Sequence, residues 1–170
     1  MIIKKIKVGY IRTNCYIIIE NKDALIIDPG AEYEKIKEET KNLNIVGILV
    51  THYHFDHVGA LSNFKKTQIY DYKKTNQKIK NKNFEFEIIE TKGHTNDSVS
   101  FYFEKENKMF VGDFIFQNTI GRTDLETSNH NDIIENIKKI KKYPENTEIY
   151  PGHGNNTILK EEIKNNPFFR

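Results

Sequence analysis

The chain is poor in cysteine: Cys15 is its only one, which excludes an intramolecular disulfide. It sits in the strand-like run Asn14-Cys15-Tyr16-Ile17-Ile18-Ile19 and is read as a packed, inert thiol rather than a nucleophile or metal ligand. No apolar run approaches the roughly 18 residues of a membrane span. Met1-Ile2-Ile3-Lys4-Lys5 opens no apolar segment of the signal-peptide kind. These absences lead to the expectation of a soluble, cytoplasmic protein with no membrane partner. No Pro- or Ser-rich linker and no internal repeat interrupts the 170 residues, so one domain over 1–170 is expected. An excess of one charge is also missing. A net charge of +2 gives no reason to expect a nucleic-acid partner, and Lys73-Lys74 and Lys138-Lys139 read as solvated faces. Finally, no Ser or Cys stands in a recognisable nucleophile context.

What the chain does have is histidine in one pattern. Thr51-His52-Tyr53-His54-Phe55-Asp56-His57 places four potential metal ligands within six residues. Imidazole and carboxylate together suit zinc, iron or manganese. Of the six histidines, His94 and His153 lie in Gly-His contexts just outside apolar or β-rich runs, and only His130 falls outside the pattern. A lone His is usually a surface or satisfied core residue; a cluster this dense is poorly explained that way.

The organisation around these residues is mixed α/β. Ile2–Val8, Tyr16–Glu20, Ala24–Ile27 and Ile45–Val50 read as strands, with a turn at Asp28-Pro29-Gly30 and a helix over Glu32–Leu43. Val58–Phe64 is expected to open a short helix behind the His-rich loop, and Gln68–Tyr70 a short strand. Residues 72–83 read as either a polar helix or a loop. Phe84–Glu90 alternates as a strand, Val99–Phe103 and Met109–Val111 form a hairpin, and a helix opens near Ser128 or Asn129. Thr147–Tyr150 is the last strand and Ile158–Lys164 the last helix. His52 to His57, His94, Asp113 and His153 each follow a predicted strand, so they can converge along one edge of a layered β structure.

Five segments in order resemble the metallo-β-lactamase superfamily, and within it the compact glyoxalase II-like hydrolases. They are Ile26-Ile27-Asp28-Pro29-Gly30, Thr51 to His57, Gly93-His94-Thr95, Val111-Gly112-Asp113 and Tyr150-Pro151-Gly152-His153-Gly154. The resemblance implies a four-layer αββα sandwich with a metal site at one edge of two sheets. It implies a first metal on His52, His54 and His94, a second on Asp56, His57 and His153, and Asp113 bridging the two. Asp28 would stand behind the ligands and hydrogen-bond an imidazole or nearby backbone. Two divalent ions, zinc foremost with iron or manganese as alternatives, would activate a shared water for attack on an acyl carbon. Asp56 would also steer that water's proton.

Hydrolysis of a small thioester or related acyl compound is the expected activity, with a small molecule as the partner. Full-length glyoxalase II has a C-terminal helical domain that helps bind glutathione. This chain ends at Arg170, 17 residues after His153, and is expected to lack that domain. The segment after Asp113 also lacks the Lys and Tyr that grip glutathione. It carries Arg122, whose fork suits a substrate carboxylate. Gly121-Arg122-Thr123-Asp124 occurs also in persulfide dioxygenases of the same fold, which bind one iron through residues matching His52, His94 and Asp113. That activity is the main alternative, with a lactonase as a further one. A β-lactamase is disfavoured by the shortness of the chain and by the third ligand of the second site.

Overall fold

A computed structural model describes residues 1–170. The first sheet begins with β1 (Ile2–Val8), β2 (Thr13–Glu20) and β3 (Asp23–Ile27), paired antiparallel in chain order. Helix α1 (Tyr33–Glu39) crosses over to β4 (Asn44–Leu49), which runs parallel to β3. A single helical turn, α2 (Phe55–Val58), precedes β5 (Ile69–Tyr70), the parallel neighbour of β4.

The second sheet starts with an antiparallel meander of β6 (Gln77–Asn81), β7 (Phe84–Glu90), β8 (Val99–Phe103) and β9 (Lys108–Gly112). A two-stranded ribbon, β10 (Ile115–Phe116) and β11 (Thr119–Ile120), stands apart from both sheets. Helix α3 (His130–Ile140) then crosses to β12 (Glu148–Pro151), parallel to β9 and followed by β13 (Thr157–Ile158) and helix α4 (Leu159–Asn165).

The pleat explains the layers. Successive strand residues face opposite ways, and here both faces of the central strands are apolar. Tyr16, Ile18, Leu25, Ile27 and Leu49 of the first sheet meet Phe86, Ile88, Phe101, Phe103 and Phe110 of the second in one inner core. The alternate residues face outward. Ile26 and Ile48 pack on Ile36 of α1, while Met109, Val111 and Ile149 pack on Ile133, Ile137 and Ile140 of α3. The result is helix, sheet, sheet, helix: the expected αββα sandwich. No helix is long and apolar enough to cross a membrane.

Three local expectations change. The helix expected at Val58–Phe64 is instead α2, inside the His-rich motif, followed by a 3₁₀ turn at Leu61–Asn63. The expected helix over Glu32–Leu43 is shorter, because Glu32 enters with φ 51° and Thr40 leaves helical geometry. Residues 72–83 hold a 3₁₀ turn and then strand β6, where only Ile79 and Asn81 turn away from solvent. The start of α3 agrees with its sequence signal: Asn129 Oδ1 accepts from the backbone N–H groups of Asn131 and Asp132.

Strands β3, β4, β7, β9 and β12 all point their C-terminal ends at the same edge of the sandwich. Two backbone hydrogen bonds join the sheets there, Val99 N to Thr51 O and Asn14 N to Gly152 O.

Candidate metal centre

Asp28 lies at the end of β3 with φ 51°, buried to 1% exposure. Its Oδ1 accepts from Thr51 N at 2.8 Å; its Oδ2 accepts from Thr51 Oγ1 at 2.7 Å and from His57 Nδ1 at 2.9 Å. Having donated to Asp28, the Thr51 hydroxyl accepts from His52 Nδ1 at 3.1 Å. On the other sheet, His94 Nδ1 donates to the carbonyl of Arg122 at 2.9 Å. Each of these three rings turns its Nδ1 toward an oxygen behind it, so that Nε2 faces the sheet edge. Hydrogen bonds of this kind fix the tautomer and orientation of metal-binding imidazoles.

The atoms in front converge. His54 Nδ1 is 3.1 Å from both His52 Nε2 and His94 Nε2. His153 Nε2 and His57 Nε2 lie 3.2 and 3.3 Å from Asp56 Oδ2. Asp113 stands between the two groups: Oδ1 is 3.4 Å from His57 Nε2, and Oδ2 is 3.6 Å from His153 Nε2 and 3.7 Å from His94 Nε2. Three sets of potential ligands therefore form, His52/His54/His94, Asp56/His57/His153 and His52/His57/Asp113, each within 4.8 Å.

Hydrogen bonding does not account for this packing. His52 and His94 have used their ring protons, so one Nδ1–H of His54 faces two acceptors. His57 Nε2 and Asp113 Oδ1 are buried and face each other at 3.4 Å without making a hydrogen bond. Donors at 2.0–2.1 Å around one tetrahedral ion are about 3.3 Å apart, close to the separations seen. The residues fit divalent metal.

Charge agrees. Burial, followed by the neighbouring imidazoles of His57, His94, His54 and His153, holds His52 well below its ordinary pKa, so it stays a neutral ligand. Burial opposes ionisation of Asp56 and Asp113, but adjacent imidazoles outweigh it and keep both carboxyls below their usual range. His57 goes the other way. Burial disfavours its charge, yet the carboxylates of Asp28 and Asp113 outweigh burial and raise its pKa to about 10.

All seven sequence-predicted ligands, with Asp28 behind them, are thus brought to one edge. The Arg122 side chain is not. Its guanidinium is exposed and donates from Nε and Nη2 to the carboxylate of Asp124, at 2.9 Å each. What Arg122 contributes to the site is its backbone carbonyl, on His94. His130 stays apart from all three sets, beside Thr123 Oγ1 and the Phe168 ring. Burial and packing match the inert reading of Cys15: it has no exposure, and burial pushes its thiol pKa up.

Three residues of β2 were missed. Thr13 Oγ1 donates to Asp56 Oδ2 at 2.7 Å. Asn14 Nδ2 donates to the carbonyls of Pro151 and Gly154, and Tyr16 OH to that of Pro151, so both hold the loop of His153. The available signal was polar residues opening a strand that is otherwise apolar.

The profile of the metallo-beta-lactamase superfamily matches residues 8–74 and 76–153. Among curated relatives, a probable metallo-hydrolase of Bacillus subtilis strain 168, YqgX, is 32% identical over 97% of this chain and 96% of its own. The hydroxyacylglutathione hydrolase GloC of Haemophilus influenzae is 30% identical over 99% of this chain and 98% of its own. Among solved structures, the BLEG-1 B3 metallo-beta-lactamase superposes with a TM-score of 0.92 at 33% identity, covering 99% of each chain. With the αββα layers and a metal-fitting edge built from these ordered segments, the chain belongs to the metallo-beta-lactamase superfamily.

Proposed function

We propose that this chain is a binuclear metal-dependent hydrolase of small thioesters or related acyl compounds. The carrying observation is Asp113, whose carboxylate faces His94 of one ligand group and His57 and His153 of the other, with a buried Oδ1 that makes no hydrogen bond. His52, His54 and His94 would hold one ion, Asp56, His57 and His153 the other, with Asp113 reaching both. Divalent ions held there, zinc foremost with iron or manganese suited to the same donors, supply Lewis acidity and lower the pKa of a water toward about 7. The chain's residues do the rest. Asp28, Thr51 and the Arg122 carbonyl keep the imidazoles in the receiving tautomer. Asp56 and Asp113 stay ionised at neutral pH, and Asp56 can steer the proton of the attacking water. No protein nucleophile is required. Thioester specificity is supported by the likeness to the Haemophilus influenzae hydroxyacylglutathione hydrolase over nearly the whole of both chains.

Arg122 remains available to a substrate carboxylate only by leaving Asp124, a solvent-exposed partner that water screens. A second reading, β-lactam hydrolysis, is favoured by the likeness to BLEG-1, which covers nearly all of both chains and removes chain length as an argument against it. The test loads apo-protein with zinc, manganese or iron and follows thiol release from S-lactoyl thioesters, ring opening of a chromogenic β-lactam, and oxygen uptake with a persulfide. Metal-dependent thiol release as the dominant activity is expected. Rapid oxygen uptake with iron and negligible thiol release would replace hydrolysis by persulfide oxidation. A metal stoichiometry of one, insensitive to His57→Ala and His153→Ala, would sink the binuclear assignment.

A further inference from the structure

We infer that Thr13 is a positioning residue that sets the occupancy of the second metal set independently of the first. The inference rests on the binuclear reading above.

Asp56 is an unusual carrier for a ligand. It lies in the single turn of α2, four residues long and without a side-chain cap. Its backbone is held against the Pro29-Gly30 turn. Gly30 packs so closely that a methyl group there would sit 1.6 Å from the Asp56 carbonyl oxygen, and Ala60 N donates to Pro29 O at 2.9 Å. Those contacts place the main chain and leave the side-chain torsion open. The shortest contact of the carboxylate is with the Thr13 hydroxyl, which donates to Oδ2 at 2.7 Å. Oδ2 is also the oxygen that faces His57 Nε2 and His153 Nε2. Thr13 therefore selects which oxygen of Asp56 is presented to the other two members of its set.

The hydroxyl is well placed to hold that choice. Thr13 has no solvent exposure and opens β2 opposite Val8, so water does not compete for the bond. The next residue, Asn14, pins the His153 loop through its backbone N–H to Gly152 O at 2.7 Å and its Nδ2 to Pro151 O at 2.8 Å. Two adjacent residues of β2 thus fix two of the three members of the second set. The first set is fixed by other groups, Thr51 behind His52 and the Arg122 carbonyl behind His94. Neither of those supports touches Thr13.

The experiment compares apo wild type with Thr13→Val, Thr13→Ala and Thr13→Ser, titrated with zinc by calorimetry and with cobalt by visible absorption. Valine keeps the shape and removes the donor; alanine guards against a packing failure of valine; serine keeps the donor. Wild type is expected to bind in two events. In Thr13→Val and Thr13→Ala the first event is unchanged and the second weakens by about 10–100-fold, with the cobalt bands of the second step lost or shifted. Thr13→Ser returns both events. A residue that only fills space would give valine the wild-type titration and serine the defect. Two wild-type events reproduced unchanged in Thr13→Val and Thr13→Ala overturn the role of Thr13 alone. A single event in wild type overturns the binuclear reading, and this inference with it.

Discussion

Asp28 touches no reacting atom, yet three donors depend on it: the backbone and hydroxyl of Thr51 and the ring of His57. Asp28→Ala leaves a charged, fully buried His57 facing nothing on that side. We expect a loss of about 3–5 kcal/mol in urea unfolding and failure of the second set to hold metal; wild-type stability and metal binding would remove this role from Asp28. Asp28→Asn is gentler, since its amide can still accept from Thr51 but turns a donor toward His57 or Thr51. His57 also makes metal uptake pH-dependent. Without metal its raised pKa, about 10, keeps the proton on at neutral pH. That proton stabilises the folded apo-protein fully below the unfolded value of about 6.5, and the gain is lost as pH rises through about 10. A metal at Nε2 must displace it, so binding at the second set should release about one proton at pH 7 and tighten as pH rises across that window. Calorimetry in buffers of different ionisation heat checks this; identical heats in all buffers would contradict it. At this scale the ligands were legible because four of them share one short motif. Thr13 and Asn14 were not, because their partners lie 43 and 137 residues away and nothing local marks a residue whose contact is that distant.

Elements were legible in proportion to how much apolar surface they bury. β3 reads as a continuous apolar run because helix and sheet cover its two faces. β7 reads as an alternation because Phe84, Phe86 and Ile88 face the inner core while Glu85 and Glu87 do not. β6 was lost for the opposite reason. It is an edge strand, and its lysines do what charged side chains do on edges, discouraging further pairing; that makes it look like a polar loop. α2 was lost because one helical turn is too short to show a period. The join between β7 and α3 carries a prediction of its own. Gly93, beside His94, has φ +136°, and a methyl group there would come within 2.4–2.6 Å of Ile133, including its backbone. Gly93→Ala must push α3 or the His94 loop outward. Expected are a lower melting temperature and a weakened first metal event, read by cobalt absorption; a wild-type first event would mean that the loop yields without moving His94.

The whole molecule is two sheets whose faces are glued by aromatic and branched side chains, with Phe110 stacked on Tyr150 at 4.7 Å across neighbouring strands of the second sheet. The sandwich itself was expected from a family resemblance, with which the strand and helix order was compatible. What strand order alone could not supply is the pairing between sheets, since that is set by long-range contacts such as Val99 N to Thr51 O. Chelation should cost stability at this scale. A site holding metal at 100 times its Kd adds about 2.7 kcal/mol, so apo-protein should melt several degrees below the zinc-loaded form by differential scanning calorimetry. An unchanged melting temperature would deny tight binding to the native state.

Each proposed ion would take ligands from both sheets. His52 and His54 come from the loop after β4, and Asp56 and His57 from α2 behind it; His94 and His153 belong to the second sheet. Such a fastening can close only after the two halves have already met. Metal would then arrive late in folding, as a latch rather than a template. Zinc added to a refolding chain should leave the folding rate nearly as it was and slow the unfolding rate, because the stabilising contact is absent from the transition state. A stopped-flow chevron with and without zinc distinguishes the two limbs. If zinc accelerates refolding instead, the sheets are drawn together by the ions, and the edge of the sandwich forms before its core.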